Sequence, residues 1–320
     1  MKRVTMLVCT ALVIAACGTG ASPIGTSQPP DSTTTSASTP TTSPQPSTTT
    51  TSASATTTTS SATPTTQPVV SPTMMDVAPW FFIDEPGRPT RSGPFLVPIY
   101  REVPHTKAIA RASLEALFAG PTDGEQNGIP RISTTIPDDV EVLGLTISEG
   151  IAVVDLSSEF EGTDDSPVVA QRMAQVVFTL TSIPHVNEVL FHQEGSPIPA
   201  QVGDGQLVTR PVLKADYLDF AAAITVETPV YGGSSDDPMR VLGFAAAFEA
   251  TFQFTLTDGD GLIIAEGTAM TTNGTGWGGF DFTIDYDIEV EQLGALIVWA
   301  YSAEDGSQID VREYPVYLEP

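Results

Sequence analysis

Cysteine and histidine are scarce in this sequence of 320 residues. The two cysteines, Cys9 and Cys17, both lie near the N-terminus, so the rest of the chain contains neither a disulfide nor a cysteine nucleophile. The three histidines, His105, His185 and His192, do not stand at the spacing of a helical metal motif. We therefore expect no metal site, and the fold must be stabilised by the burial of apolar residues.

Basic residues are also few, with 13 lysines and arginines against 39 acidic residues and a formal net charge of −26. Such a surface repels nucleic acid, so nucleic acid is excluded as a partner. The sequence also lacks a G-x-S-x-G nucleophile elbow and a Gly-rich phosphate loop. These absences predict a protein that is not an enzyme and that uses no cofactor.

The N-terminus has the features of a signal peptide, because a basic start precedes an apolar run, 6–16, that is too short to span a bilayer. Residues 14–17, I-A-A-C, resemble the lipobox of bacterial lipoproteins. The resemblance implies cleavage between Ala16 and Cys17 and attachment of lipid to the Cys17 thiol. Because two acyl chains anchor a protein stably, we expect a lipid-anchored protein (a palmitate-type anchor) on the extracytoplasmic face of the cell membrane. The alternative is an ordinary secreted protein whose cysteine is incidental.

Composition divides the chain into four parts: a signal peptide at 1–16, a linker at 17–75, a first folded domain at 76–220 and a second at 221–320. The linker is almost wholly Thr, Ser, Pro and Ala, which predicts a disordered stalk. In the first domain, apolar periodicity predicts helices over 106–119 and between Pro167 and Pro184. Strand-like runs lie at 80–84, 96–101, 140–148, 151–156 and 187–193. This pattern predicts an α+β fold, an α/β sandwich with the sheet on one side and the helices on the other.

The second domain has no helical period. Short apolar runs separated by turns predict an all-β sandwich of the immunoglobulin-like type. The runs are centred near Ile224, Val241, Phe252, Ile263, Phe282, Ile297 and Val316. The side chains expected in its core are Phe248, Phe252, Phe254, Phe282 and Trp299.

Both domains resemble known families. In the first, L-V-P-I-Y-R-E-V-P (96–104), A-L-F-A-G-P-T (116–122), G-I-A-V-V-D-L-S-S-E-F (150–160) and R-M-A-Q-V-V-F-T-L-T (172–181) resemble the GerMN domain of sporulation and spore germination. In the second, I-T-V-E-T-P (224–229), V-L-G-F-A-A-A-F-E-A-T (241–251), D-G-D-G-L-I-I-A-E-G (258–267) and Y-S-A-E-D-G-S (301–307) resemble the immunoglobulin-like domain of bacterial spore germination proteins. The pairing implies an envelope lipoprotein, but it supplies no catalytic residues.

Two sets of carboxylates are candidate sites with simpler structural interpretations. Asp155 and Glu159 could form the acid pair of a wall hydrolase, but we prefer a turn after a strand. Asp258, Asp260 and Glu266 form an incomplete calcium loop, and a β-turn between two strands accounts for them more simply.

From these observations we predict a membrane-anchored, non-catalytic interaction or scaffold module of the cell envelope, linked to sporulation or germination or, alternatively, to wall maintenance. The expected partners are the membrane, through Cys17, and envelope proteins not identified by the sequence. The alternative is a module that binds peptidoglycan or another glycan, which exposed rings of Trp80, Trp277 and Trp299 on one face would favour. A wall hydrolase ranks below both.

Overall fold

The computed structural model describes residues 73–84, 93–162, 166–203 and 205–320. Cys17, the predicted cleavage site after Ala16 and the predicted stalk up to residue 72 lie outside these residues, so they stay predictions. Within the described ranges, no helix is long and apolar enough to cross a membrane.

The first domain consists of short strands and helices. Its strands are β1 (Met74–Val77), β2 (Trp80–Asp84), β3 (Phe95–Pro98), β4 (Arg101–Pro104), β5 (Arg131–Ser133), β6 (Val142–Ser148), β7 (Ile151–Leu156), β8 (Glu188–Gln193), β9 (Ser196–Pro197), β10 (Ala200–Val202) and β11 (Gln206–Val208). Its helices are α1 (Ile109–Phe118), α2 (Asp123–Gln126) and α3 (Ser166–Thr181), followed by 3₁₀ turns at Lys214–Phe220.

These strands form several small sheets where we expected one. The largest has the order β6-β7-β8-β9, with β7 and β8 parallel and connected through α3, and a second has the order β3-β2-β5. The strand expected over 96–101 is divided into β3 and β4, because the N–H of Tyr100 donates to the carbonyl of Tyr231 (3.0 Å), outside this domain.

Two local features of the first domain, a hairpin turn and the start of a helix, agree with the sequence prediction. The hairpin of β6 and β7 turns at Glu149 and Gly150, which both have positive φ (53° and 83°), as a two-residue turn of type I′ requires. Helix α3 begins at Ser166 and has Pro167 in its first turn, where the missing N–H costs nothing. Its central apolar residues are fully buried and form the core with β2.

The second domain is a two-sheet sandwich, which confirms the predicted all-β fold. Its strands are β12 (Ile224–Thr228), β13 (Ser234–Ser235), β14 (Met239–Ala245), β15 (Thr251–Thr257), β16 (Ile263–Met270), β17 (Gly278–Ile284), β18 (Gln292–Tyr301) and β19 (Gln308–Leu318). One sheet has the order β12-β14-β17 and the other β13-β19-β18-β15-β16. All seven predicted runs are strands in the structure. The short strand β13 was not predicted.

The predicted core of this domain was wrong at one residue. Phe252 is fully buried, and Phe254, Phe282 and Trp299 are partly buried, but Phe248 is 67% exposed. Phe248 begins a single 3₁₀ turn between β14 and β15, where φ becomes positive at the next residue, Glu249. Strand alternation does not apply in such a turn, so apolarity alone misplaced the ring.

Candidate functional site

The first and second domains are joined directly by backbone hydrogen bonds. Tyr231, which follows β12, accepts from the N–H of Tyr100 (3.0 Å) and donates to the carbonyl of Pro98 (3.1 Å). Nearby, the guanidinium of Arg312 on β19 lies 5.6 Å from the ring centre of Phe95 on β3. Strands β3 and β12 therefore belong to one continuous contact between the domains.

A lysine surrounded by aromatic rings lies at this contact. The Nζ atom of Lys214 is 5.3 Å from the ring centre of Trp80, 5.4 Å from that of Phe178 and 5.8 Å from that of Phe244. The same ammonium forms an ion pair with Glu227 on β12. The rings of Trp80 and Phe178 come from the first domain, whereas Phe244 and Glu227 come from the second. Cation–π attraction of this kind contributes about 0.5–2 kcal/mol, so Lys214 links the two domains.

The segment that carries Lys214 is fixed by an ion pair of its own. Arg210 donates two hydrogen bonds to Asp216 (2.9 and 2.6 Å), and a carboxylate oxygen of Asp216 accepts from the N–H of Leu213 (3.0 Å). The hydrogen bonds from Arg210 lower the pKa of Asp216, and burial opposes this effect. The carboxylate of Asp216 therefore connects Arg210 to the backbone of Leu213, next to Lys214, and fixes the turn that carries this lysine.

We expect Lys214→Met to lower the free energy of unfolding by about 2 kcal/mol, because it removes the cation from three rings and leaves Glu227, which is 22% exposed, without its partner. Adding Glu227→Gln should recover part of this loss by removing the unpaired carboxylate. Guanidinium denaturation of the two single variants and the double variant measures the coupling. If the loss of the double variant equalled the sum of the two single losses, Lys214 and Glu227 would not interact, and the link between the domains through this pair would be contradicted.

A cleft of about 330 Å³ lies beside this contact and is lined by both domains. The first domain contributes Asp76, Tyr100, Ile109 and Ser182, and the second contributes Val230 and Ser234. The hydroxyl of Tyr100 donates to a carboxylate oxygen of Asp76 (3.0 Å), and this hydrogen bond raises the pKa of Tyr100. Apolar walls with a few polar groups are typical of a binding site.

One wall of the cleft is held in place by Trp80. Its indole N–H donates to the hydroxyl of Ser182 (2.8 Å), and its backbone N–H donates to the hydroxyl of Thr179 (3.0 Å). Both hydroxyl residues lie at the end of α3 and line the cleft. The packing that joins the domains thus also shapes this wall.

The residues of this site were not predicted from the sequence. Lys214 and Glu227 carry no motif, and the tertiary fold alone brings Asp76 and Tyr100 to the same cleft as Val230. One signal was available, since Lys214 is one of only three lysines in the chain and stands close to the predicted domain boundary.

The two candidate carboxylates belong to different turns: Asp155 binds the turn between β8 and β9, and Glu159 lies in the 3₁₀ turn that follows β7. A carboxylate oxygen of Asp155 accepts from the N–H of Gly195 (2.9 Å). Hydrogen bonds from its own backbone N–H and from the hydroxyls of Ser157 and Ser158 lower the pKa of Glu159. A general acid needs a raised pKa, so the environment of Glu159 does not suit the general-acid role in a hydrolase.

Of the candidate calcium ligands, Asp258 closes the turn between β15 and β16. One oxygen of Asp258 accepts from the N–H groups of Asp260 (3.0 Å) and Leu262 (2.8 Å), and Glu266 lies opposite Thr255 in the sheet. This geometry is that of the β-turn interpretation.

The three tryptophans do not form an exposed aromatic surface. Trp80 is fully buried, and Trp277 and Trp299 are partly buried. The ring of Trp277 lies 5.6 Å from that of Phe244, at the end of the aromatic group around Lys214. The criterion that would favour a glycan-binding face is therefore not met.

The fold and the cleft define a two-domain protein with an α+β head and an immunoglobulin-like sandwich. Residues 79–199 match the family model described as sporulation and spore germination (Germane), and residues 223–307 match the model described as immunoglobulin-like domain of bacterial spore germination (Gmad2). The chain carries both of these domains, which confirms the resemblance found in the sequence. No curated protein matches the chain.

Three solved structures are similar to parts of the chain. A lipoprotein candidate from Clostridium perfringens is 18% identical, with 46% of this chain and 93% of that chain covered and a TM-score of 0.30. The first GerMN domain of the sporulation protein GerM from Bacillus subtilis is 18% identical, with 44% and 99% covered and a TM-score of 0.34. The tandem GerMN domains of the same protein are 14% identical, with 66% and 62% covered and a TM-score of 0.35. At these values no property of those proteins is transferred to this chain.

Proposed function

We propose that this chain is a lipid-anchored, extracytoplasmic protein that binds a peptide segment of another envelope protein in the cleft between its two domains, without catalysis. Cys17 would carry the anchor. The two domain families associate this work with sporulation or germination. The observation that carries the proposal is the cleft itself, whose two walls come from different domains that are joined by hydrogen bonds and by Lys214.

The chemistry of the cleft favours a peptide over a small charged metabolite. Apolar side chains such as Ile109 and Val230 offer contact to aliphatic groups, and the hydroxyls of Ser182 and Ser234 lie among them. The exposed carboxylate of Asp76 gives the cleft an acceptor for an N–H donor or a basic side chain. With a formal net charge of −26, the surface attracts basic partners over acidic ones.

A glycan module is the alternative, and a wall hydrolase is less well supported than either. Sugar binding commonly uses exposed aromatic rings, and the buried position of Trp80 counts against such a surface. The lowered pKa of Glu159 counts against acid catalysis by that residue.

Photocrosslinking from the cleft tests the proposal. A photoreactive amino acid replaces Ile109, which lines the cleft and is 43% exposed, in the full chain in intact envelopes. The matched control carries the same group at Ile129, an isoleucine that is 90% exposed. We expect a discrete protein adduct from position 109 that is absent from position 129.

The other outcomes have definite meanings. Adducts with wall fragments from position 109 would favour the glycan alternative, and equal labelling from both positions would contradict a specific site. The chain with Cys17→Ala tests the anchor separately, because the mass of the purified protein should show the loss of the lipid whether or not the cleft binds a partner.

A further inference from the structure

Strand β16 lies at the edge of the five-stranded sheet of the second domain. It pairs with β15 along one side, and no strand of the described part of the chain pairs with its other side. The strand contains no proline and no lysine, and its one charged residue is Glu266. A bulge, which also hinders pairing, lies near one end of the strand at Ile264, and residues 265–270 pair regularly with β15. A regular edge without proline or lysine is a template for pairing with another strand.

We propose that β16 pairs antiparallel with β16 of a second copy of this chain, about a two-fold axis at Gly267. A two-fold axis perpendicular to the sheet keeps each side chain on the same face of the sheet in both copies. Residues directly opposite each other in an antiparallel pair also point to the same face. The axis must therefore pass through one residue, which lies opposite the same residue of the second copy. The register with β15 runs from Thr251 opposite Met270 to Thr257 opposite Ile263, with a bulge at Ile264, and Gly267 occupies the middle position. Centring the axis on Gly267 therefore pairs the whole length of the strand.

The outer face of β16 is self-complementary in this register. Because the bulge residue Ile264 has no partner in the ladder, it is left out of the count, and Ile263 (60% exposed) then lies opposite the partner's Met270 (69% exposed). Two exposed apolar side chains therefore cover each other. Glu266 lies opposite the partner's uncharged Thr268. Residues directly opposite one another in an antiparallel pair have Cβ atoms about 4.5–5.5 Å apart, so their side chains are in contact.

The neighbouring symmetric register is disfavoured by charge. An axis at Glu266 would place the two Glu266 carboxylates directly opposite each other, which is destabilising. On the inner face, the register centred on Gly267 brings together Gly267 with itself and Ala265 with the partner's Ala269. These residues are small, so the two sheets join without a steric obstacle and form one ten-stranded sheet.

Cysteine pairing tests this register directly. The full chain, with Cys9 and Cys17 changed to serine, is prepared as two variants, Ile263→Cys and Met270→Cys. Both are purified in mild detergent, so that the apolar N-terminus does not associate, and are oxidised with glutathione disulfide separately and as a mixture. In the proposed pair, positions 263 and 270 of the two copies are opposite, within the 4.4–6.8 Å Cα separation of a disulfide. Two copies of position 263 are roughly 20 Å apart along the strand.

We expect a covalent heterodimer in the mixture and at least tenfold less homodimer from either variant alone. Val290→Cys, mixed with Met270→Cys, is the control, because Val290 is similarly exposed (67%) and lies outside β16. Three results would each overturn the proposal. The first is equal yields of homodimer and heterodimer, the second is an equal yield of crosslinked dimer with the Val290→Cys control, and the third is no crosslink in the mixture.

Discussion

Replacing Trp80 with alanine is expected to lower the free energy of unfolding by about 4 kcal/mol, in the range for truncating a buried aromatic residue. Trp80 is fully buried, and its ring packs against Phe178 with the ring centres 4.8 Å apart. The truncation opens a cavity beside α3, removes the hydrogen bond to Ser182 and takes one ring away from Lys214. Guanidinium denaturation followed by far-ultraviolet circular dichroism measures the loss.

Two variants separate the causes of this loss. Trp80→Phe keeps an aromatic ring but removes the indole N–H and part of the ring volume, so it should cost about 1–2 kcal/mol, less than Trp80→Ala. Trp277→Ala truncates a partly buried ring and should cost less than Trp80→Ala. If Trp277→Ala proved the more damaging of the two, Trp80 would not have the central role that its burial indicates.

The sandwich of the second domain was predictable because its strands follow local rules. Each strand is short and largely apolar, and turn residues such as those at Asp258 separate the strands, so the seven runs could be counted without tertiary information. The hairpin at Glu149 and Gly150 was predictable for the same reason, since a two-residue turn between two β runs has few conformations.

The candidate site was not predictable because it depends on contacts between distant residues. Lys214 and Glu227 have no recognisable spacing, and they meet because β12 packs against the end of the first domain. The division of the expected strand at 96–101 has the same origin, since Tyr100 finds its partner at Tyr231. Phe248 shows the converse case, in which an apolar residue lies on the surface because a tight turn holds it there.

A methyl group added at Gly243 is expected to cost about 3 kcal/mol, near the upper end of the usual penalty for overpacking. Gly243 lies in β14, the central strand of the three-stranded sheet. A Cβ atom at this position would overlap the backbone oxygen of Thr225 and would lie 2.6 Å from the Cζ atom of Phe280, far inside the contact distance of two carbons. Phe280 packs against Phe252 in the core (ring centres 4.8 Å apart), so neither the ring nor the strand has room to move.

Gly279→Ala is the matched control, because Gly279 pairs with Phe244 in the adjacent strand of the same sheet. A Cβ atom there would meet no atom closer than 3.8 Å. Alanine at position 279 should therefore be neutral or should stabilise the strand by about 0.5–1 kcal/mol, through the lower entropy of its unfolded state. Comparing the guanidinium midpoints of the two variants isolates the steric term, since both add the same methyl group to the same sheet.

Equal midpoints would mean that strands β12 and β14 can separate at little cost. Phe244 and Glu227, which those two strands present to Lys214, would then not be held rigidly against the first domain.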